Sequence, residues 1–136
     1  MTIVTDSDLI RRVALFSDLS PAQSSLLSAT MRKKRFKRGE LIVQQDQTSG
    51  ALFIILSGKA RVLSQDARGR EVIIATLDAG DCIGEMSLID GEPHSATVRA
   101  ETPTDMLVLE REAFAHCLRE NTTMADAIMR GHRSRS

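Results

Sequence analysis

The segment Gly84-Glu85-Met86-Ser87-Leu88-Ile89-Asp90-Gly91-Glu92-Pro93-His94-Ser95-Ala96-Thr97-Val98-Arg99-Ala100 carries, at both ends, polar groups suited to a sugar and a phosphate. Gly84-Glu85 can open a short helical turn, and the first N–H groups of such a turn point outward and bind anions without any side chain. Glu85 can accept hydrogen bonds from a pair of hydroxyls, while the hydroxyl and N–H of Ser95 can donate to phosphate oxygens. Read on its residues alone, the segment is a candidate pocket for a small phosphorylated, hydroxylated ligand. An ordinary loop accounts for it as well, because Gly-Glu and Gly-Glu-Pro are common turn formers.

The elements that must position these groups follow from periodicity. Leu9, Ile10, Val13 and Phe16 recur at helical spacing over Asp6 to Phe16. Ser20-Pro21-Ala22-Gln23 combines a serine cap, a first-turn proline and a glutamine placed for a capping box. Leu26, Leu27 and Met31 continue that helix on one face. From Phe36 the pattern turns to short β runs: Leu41–Val43, Ala51–Leu56, Ala60–Leu63, Val72–Leu77, Ala96–Val98 and Met106–Leu109. Gly39, Gly50, Gly58, Gly69, Gly80 and Gly91 punctuate them, and Asp66-Ala67-Arg68-Gly69 reads as a hairpin turn. Six strands at this spacing suit a double-sheet jelly roll. Helix returns near the end, with Phe114, Cys117 and Leu118 on one face and Met124, Ala125, Ile128 and Met129 on another. Asn121 or Thr122 separates the two as a cap, and Gly131 is expected to stop the pattern before a frayed polar tail. The predicted organisation is N-terminal helices over 1–33, a β region over 34–110 and C-terminal helices over 111–136.

Composition narrows the function classes. The 136 residues fit one domain with a real core. Eighteen basic and eighteen acidic residues cancel, so net charge favours neither nucleic acid nor an acidic partner. Four Phe with no Trp or Tyr make a poor base-stacking platform. Cys82 and Cys117 are too few for an iron–sulfur cluster and fit a reduced, cytoplasmic setting. No secretory leader or membrane-length apolar run is seen. His94, His116 and His132 show no ligand spacing, so no metal is expected. A nucleophile elbow, His-Glu-x-x-His and a phosphate loop are all missing, so the chain reads as a non-enzyme. The run Arg32-Lys33-Lys34-Arg35-Phe36-Lys37-Arg38 suggests either a polyanion contact or, in the favoured reading, a solvated strand edge blunted by charge.

Gly84, Glu85, Leu88, Ser95, Ala96 and Thr97 fall in register with the phosphate-binding cassette of cyclic-nucleotide-binding domains. Phe36 to Glu40, Ala51 to Val62 and Ala79-Gly80-Asp81 extend the likeness from about Val13 to about Leu118. The chain thus resembles the effector domain of the catabolite-activator and fumarate-nitrate-regulator (Crp/Fnr) superfamily, and the regulatory subunits of cyclic-AMP-dependent kinase. The resemblance implies a mainly β jelly roll (a double-stranded β-helix) with flanking α-helices and a cassette over 84–97. It implies a cyclic nucleotide, cAMP or cGMP, as ligand. The phosphate would meet Gly84, Met86, Ser87, His94, Ser95 and Ala96, and the ribose would meet Glu85. It also implies a role in signal transduction and transcription regulation, in which occupancy moves the C-terminal helices.

Three departures qualify that expectation. His94 stands where the family carries the arginine that grips the phosphate, and Gln45 where many members have a glycine. The long helix and helix-turn-helix that follow in bacterial members are nearly absent, so the C-terminal region is truncated and DNA is a partner only within a longer protein. An arginine fork is worth about 1.5–3 kcal/mol to a phosphate, whereas neutral histidine offers one N–H. Three readings stay open: weak or pH-dependent cyclic-nucleotide binding, binding of another anion such as a cyclic dinucleotide, or a ligand-free interaction or dimerisation module. In the last, the C-terminal helices would dock a second copy or a protein partner.

Overall fold

The computed structural model describes residues 5–135. The chain divides into a helical unit, formed by the residues up to Arg32 and those from Leu109 onward, and a β unit, Lys33–Val108.

Among the described residues eight strands build the β architecture: β1 (Arg32–Phe36), β2 (Leu41–Val43), β3 (Ala51–Ser57), β4 (Ala60–Gln65), β5 (Glu71–Leu77), β6 (Cys82–Ile83), β7 (Thr97–Ala100) and β8 (Thr104–Glu110). Two four-stranded sheets result, ordered β1-β8-β3-β6 and β2-β7-β4-β5. Alternate side chains of each strand point inward, so both sheets contribute to one cluster. Phe53, Ile55, Met106 and Val108 come from the first sheet, and Ile42, Ala60, Val98 and Ala100 from the second. Phe36 and Phe53 meet edge to face at 6.2 Å, a favoured aromatic geometry. The fold is a jelly roll with flanking helices. Two of the strands, β1 and β6, lie beyond the six apolar runs in the sequence.

The basic run is strand β1, at the edge of its sheet, with every residue exposed except Phe36. Arg35 pairs with Asp105 at 3.2 Å, and the Lys34 ammonium lies 4.8 Å from the Phe36 ring centre. A charged edge of this kind resists pairing with another chain. At the edge of the other sheet, β5 exposes Val72, Ile73 and Ile74, at 43–58%. Its ladder with β4 skips a residue: Val62 pairs with Ala75 and Leu63 with Ile73, so Ile74 is an inserted bulge residue.

In the helical unit, α1 (Asp6–Arg12) opens with a Thr5–Asp8 capping box. The helical spacing to Phe16 is not one helix. Val13 is extended, and a 3-10 turn follows at Ala14–Phe16. The Ser20–Gln23 box forms at the start of α2 (Pro21–Thr30), each partner satisfying the other's backbone N–H. Leu27 is buried on α2, whereas Leu26, expected on the same face, is 49% exposed. α4 (Arg111–Glu120) and α5 (Thr122–Arg135) meet at Asn121. Its side-chain amide donates to the Cys117 carbonyl, and its own carbonyl accepts from Met124 and Ala125. Phe114 packs edge to face on Phe16. Met124 and Ile128 are buried, but Met129 is exposed, which narrows the expected apolar face.

Gly131 does not stop α5, which runs on to Arg135. A Cβ at Gly131 would collide with the Leu15 carbonyl oxygen, so this glycine is where the helix backbone approaches the 3-10 turn. The frayed tail expected from His132 is helical through Arg135, and Ser136 lies outside the described residues. Among the described residues no helix is long and apolar enough to cross a membrane.

Candidate ligand-binding site

The site is built on the end of β6. Cys82 and Ile83 pair with Ile54 and Phe53 of β3, and this short ladder delivers the chain to Gly84 in the left-handed region, at φ 87°. Both φ and space require glycine there. A Cβ would lie 2.6 Å from the Ala51 carbonyl oxygen and 3.4 Å from Cε1 of His94. α3 (Glu85–Asp90) follows at once; its first bond runs from the Leu88 N–H to the Gly84 carbonyl, and left-handed Gly91 closes it. Gly84 offers no side chain to cap α3, so the turn presents backbone at its N-terminal end. Glu85 and Met86 are half-buried. Ser87 is buried, and its hydroxyl has no hydrogen-bond partner among the described residues.

His94 belongs to the same cluster through space. Its N–H donates to the Gln47 carbonyl and its carbonyl accepts from the Asp46 N–H, both at 2.9 Å. Asp46 takes φ 70° to make this possible, a conformation aspartate tolerates better than most residues. The residue is 8% exposed, with ring Nε2 3.0 Å from Ser49 Oγ. Burial pushes its pKa below the ordinary value of 6.5, so the ring is neutral at pH 7. The sequence pointed to His94 as a group facing a phosphate. In the structure its Nε2 is engaged by Ser49, and Nδ1 is the remaining ring nitrogen. Ser95 is exposed and Ala96 half-buried. Thr97 Oγ1 accepts from the Gln45 N–H at 3.0 Å, tying the loop after β2 to the start of β7.

The structure therefore brings Gly84 and His94 together, with Glu85, Met86 and Ser87 following on one side and Ser95 and Ala96 on the other. Sequence reasoning missed the loop from Asp46 to Ala51, which fixes His94 by two backbone bonds and one side-chain bond. Nothing in that loop's composition marks it as a partner of the cassette, because its contributions are mostly main-chain. What the arrangement offers chemically is a turn of backbone donors, one half-buried carboxylate, hydroxyls from Ser87 and Ser95, and a neutral imidazole. That set can bind a hydroxylated anion. Among the described residues no cluster of His, Cys, Asp or Glu is placed to hold a metal ion. Neither Cys82 nor Cys117 is in a disulfide, and burial raises the pKa of Cys117.

Comparison with known proteins bears on the same segment. The profile of the cyclic nucleotide-binding domain matches residues 33–121. A cyclic AMP receptor protein of Thermus thermophilus is 32% identical over 105 residues, 77% of this chain and 49% of the relative. A cAMP-dependent protein kinase regulatory subunit of Mycosarcoma maydis is 32% identical over 111 residues, 78% of this chain and 21% of the relative. The chain thus spans about half or less of the curated relatives it matches. The crystal structure of the N-terminal domain of a transcriptional regulator from Streptomyces coelicolor superposes with a TM-score of 0.87 at 30% identity, covering 94% of this chain and 90% of that one.

Proposed function

This chain belongs to the cyclic nucleotide-binding domain family, and we propose that it is a ligand-sensing, non-catalytic domain whose cassette takes a cyclic nucleotide. In this reading the phosphate lies against the turn at Gly84–Ser87 and the segment His94–Ala96, and Glu85 accepts from the ribose hydroxyl. The observation that carries it is the approach of His94 to Gly84, which puts the two halves of the cassette on one spot. A buried neutral imidazole replaces a permanent cation, so affinity is low and rises with acidity. A bound phosphate favours the imidazolium and draws a proton onto the ring. Since β8 runs directly into α4, the C-terminal helices are the element whose position occupancy would bias.

Titration calorimetry with cAMP, cGMP and a cyclic dinucleotide at pH 6 and pH 8 tests this. Binding of a cyclic mononucleotide that strengthens at pH 6, with proton uptake, is the expected result. His94→Arg should tighten binding about tenfold or more, since about 1.4 kcal/mol is a factor of ten. The bond between His94 and Ser49 favours a second reading, an interaction module in which the ring is a structural peg. Absence of heat from every ligand, with no gain in His94→Arg, would establish that second reading in place of the first.

A further inference from the structure

A second set of charged groups lies away from the cassette, on the outward face of β4 and β7. Arg61 and Arg99 are direct partners in the ladder between these strands, while their neighbours Ala60, Val98 and Ala100 face the core. Opposed residues of antiparallel strands have Cβ atoms about 5 Å apart, and like charges so placed repel. Each guanidinium has one carboxylate: Glu101 is 2.9 Å from Arg61 and Glu71 is 3.4 Å from Arg99. The Glu101 carboxyl is held below its usual range, first by the Arg61 hydrogen bond and further by the charges of Lys59 and Arg38. Around the cleft they border, three cations (Arg38, Arg61, Arg99) against two carboxylates (Glu71, Glu101) leave one positive charge in excess, and Lys59, whose charge acts on Glu101 from outside the lining, adds a second.

Arg38, Arg61 and Arg99 line one cleft of about 650 Å³ that Leu63, Ile73 and Pro103 line with apolar surface. Sites for small molecules run from about 300 to 1,000 Å³ and pair a mostly apolar wall with a few convergent polar groups. A phosphomonoester carries about −1.5 to −2 charge at neutral pH, which the lining cations together with nearby Lys59 offset. Guanidinium forks are suited to phosphate, and an anion between two opposed arginines removes the repulsion that the strand register imposes.

We propose that this cleft is a second ligand site that takes a small phosphomonoester, its phosphate bridging Arg61 and Arg99 and its body lying against Leu63 and Ile73. It is separate from the cassette, whose residues 84–96 do not line it. A cyclic phosphodiester, with one negative charge and one terminal oxygen fewer for the guanidinium forks, is a weaker occupant. The inference therefore does not depend on what the cassette binds.

The test is NMR titration of the isotope-labelled chain with adenosine 5′-monophosphate, inorganic phosphate, cAMP, and sodium chloride at matched ionic strength. The monophosphate should shift the backbone and guanidinium resonances of Arg61 and Arg99, and cAMP at the same concentration should not. Inorganic phosphate should shift the same resonances with weaker affinity. Arg61→Gln and Arg99→Gln should each weaken the monophosphate about tenfold or more, the worth of a charged hydrogen bond. Arg38→Gln, in a turn outside the ladder, gives the same reading where a strand variant folds poorly. Shifts reproduced by chloride, or confined to residues 84–96, or indifferent to all three variants, would overturn the site. Equal affinity for inorganic phosphate would overturn the contact assigned to Leu63 and Ile73.

Discussion

Replacing Gly84 by alanine tests the geometry on which the cassette depends. At φ 87° a Cβ meets backbone strain, about 1–2 kcal/mol for an L-residue in the left-handed region. The same Cβ would stand 2.6 Å from the Ala51 carbonyl oxygen, and that oxygen belongs to a strand fixed in its sheet rather than to a pliable side chain. Overpacking of this kind costs a further 1–3 kcal/mol or so. Gly69 supplies the control: its φ is 81°, but nothing lies within 4 Å of the position its Cβ would take. Gly69→Ala should therefore cost only the strain. Alanine also restricts the unfolded chain, by about 0.4–1 kcal/mol, but equally at both positions, so the effect cancels in the difference. Gly84→Ala should then be less stable than Gly69→Ala by about 1–3 kcal/mol. Urea denaturation followed by circular dichroism reads this directly, and suits a chain with neither Trp nor Tyr. Equal midpoints and slopes for the two variants would refute the reasoning, because they would show that the Ala51 carbonyl moves aside at no cost.

Other consequences can be checked alongside. Between pH 6.5 and the lower native pKa of His94, the unfolded chain binds a proton that the buried ring refuses. The ligand-free protein should thus lose stability as pH falls below about 6.5, with no such penalty above it. Melting temperatures at pH 7.5 and 5.5 should differ more for the parent than for His94→Gln. Ser20→Ala, which breaks the capping box of α2, should cost about 0.5–2 kcal/mol by urea denaturation. Met124→Ala should cost about 2–5 kcal/mol, because the side chain is fully buried, while Met129→Ala, half exposed, should stay within about 0.5 kcal/mol by the same measurement.

What could be read from the sequence was local. The Ser20–Gln23 box needs only four residues, and apolar runs between glycines announce strands because each run supplies its own inward face. The short helical turn opened by Gly84-Glu85 was legible, since a glycine and an acid at a helix start are a matter of neighbours. The basic run was legible as a charged strand edge, and β1 hides only Phe36; the overlooked strand is β6, which has just two residues. Gly131 was misread because a close approach to Leu15 leaves no trace in adjacent sequence, whereas a helix stop is the ordinary meaning of a late glycine. The Ser49 contact to His94 spans 45 positions, and no periodic pattern encodes it. The opposed arginines at 61 and 99 were invisible for a related cause, since strand register decides which charges face each other.

The extra residue at Ile74 bears on how the molecule meets its neighbours. An outer strand with three consecutive branched or β-favouring apolar side chains would ordinarily recruit a foreign strand and seed stacked assemblies. Here the unmatched residue breaks the even beat of donors and acceptors halfway along. A newcomer could follow the rim for only a few residues before its bonding groups fell out of step, so the oily margin can stay open to water without becoming a template for fibre growth.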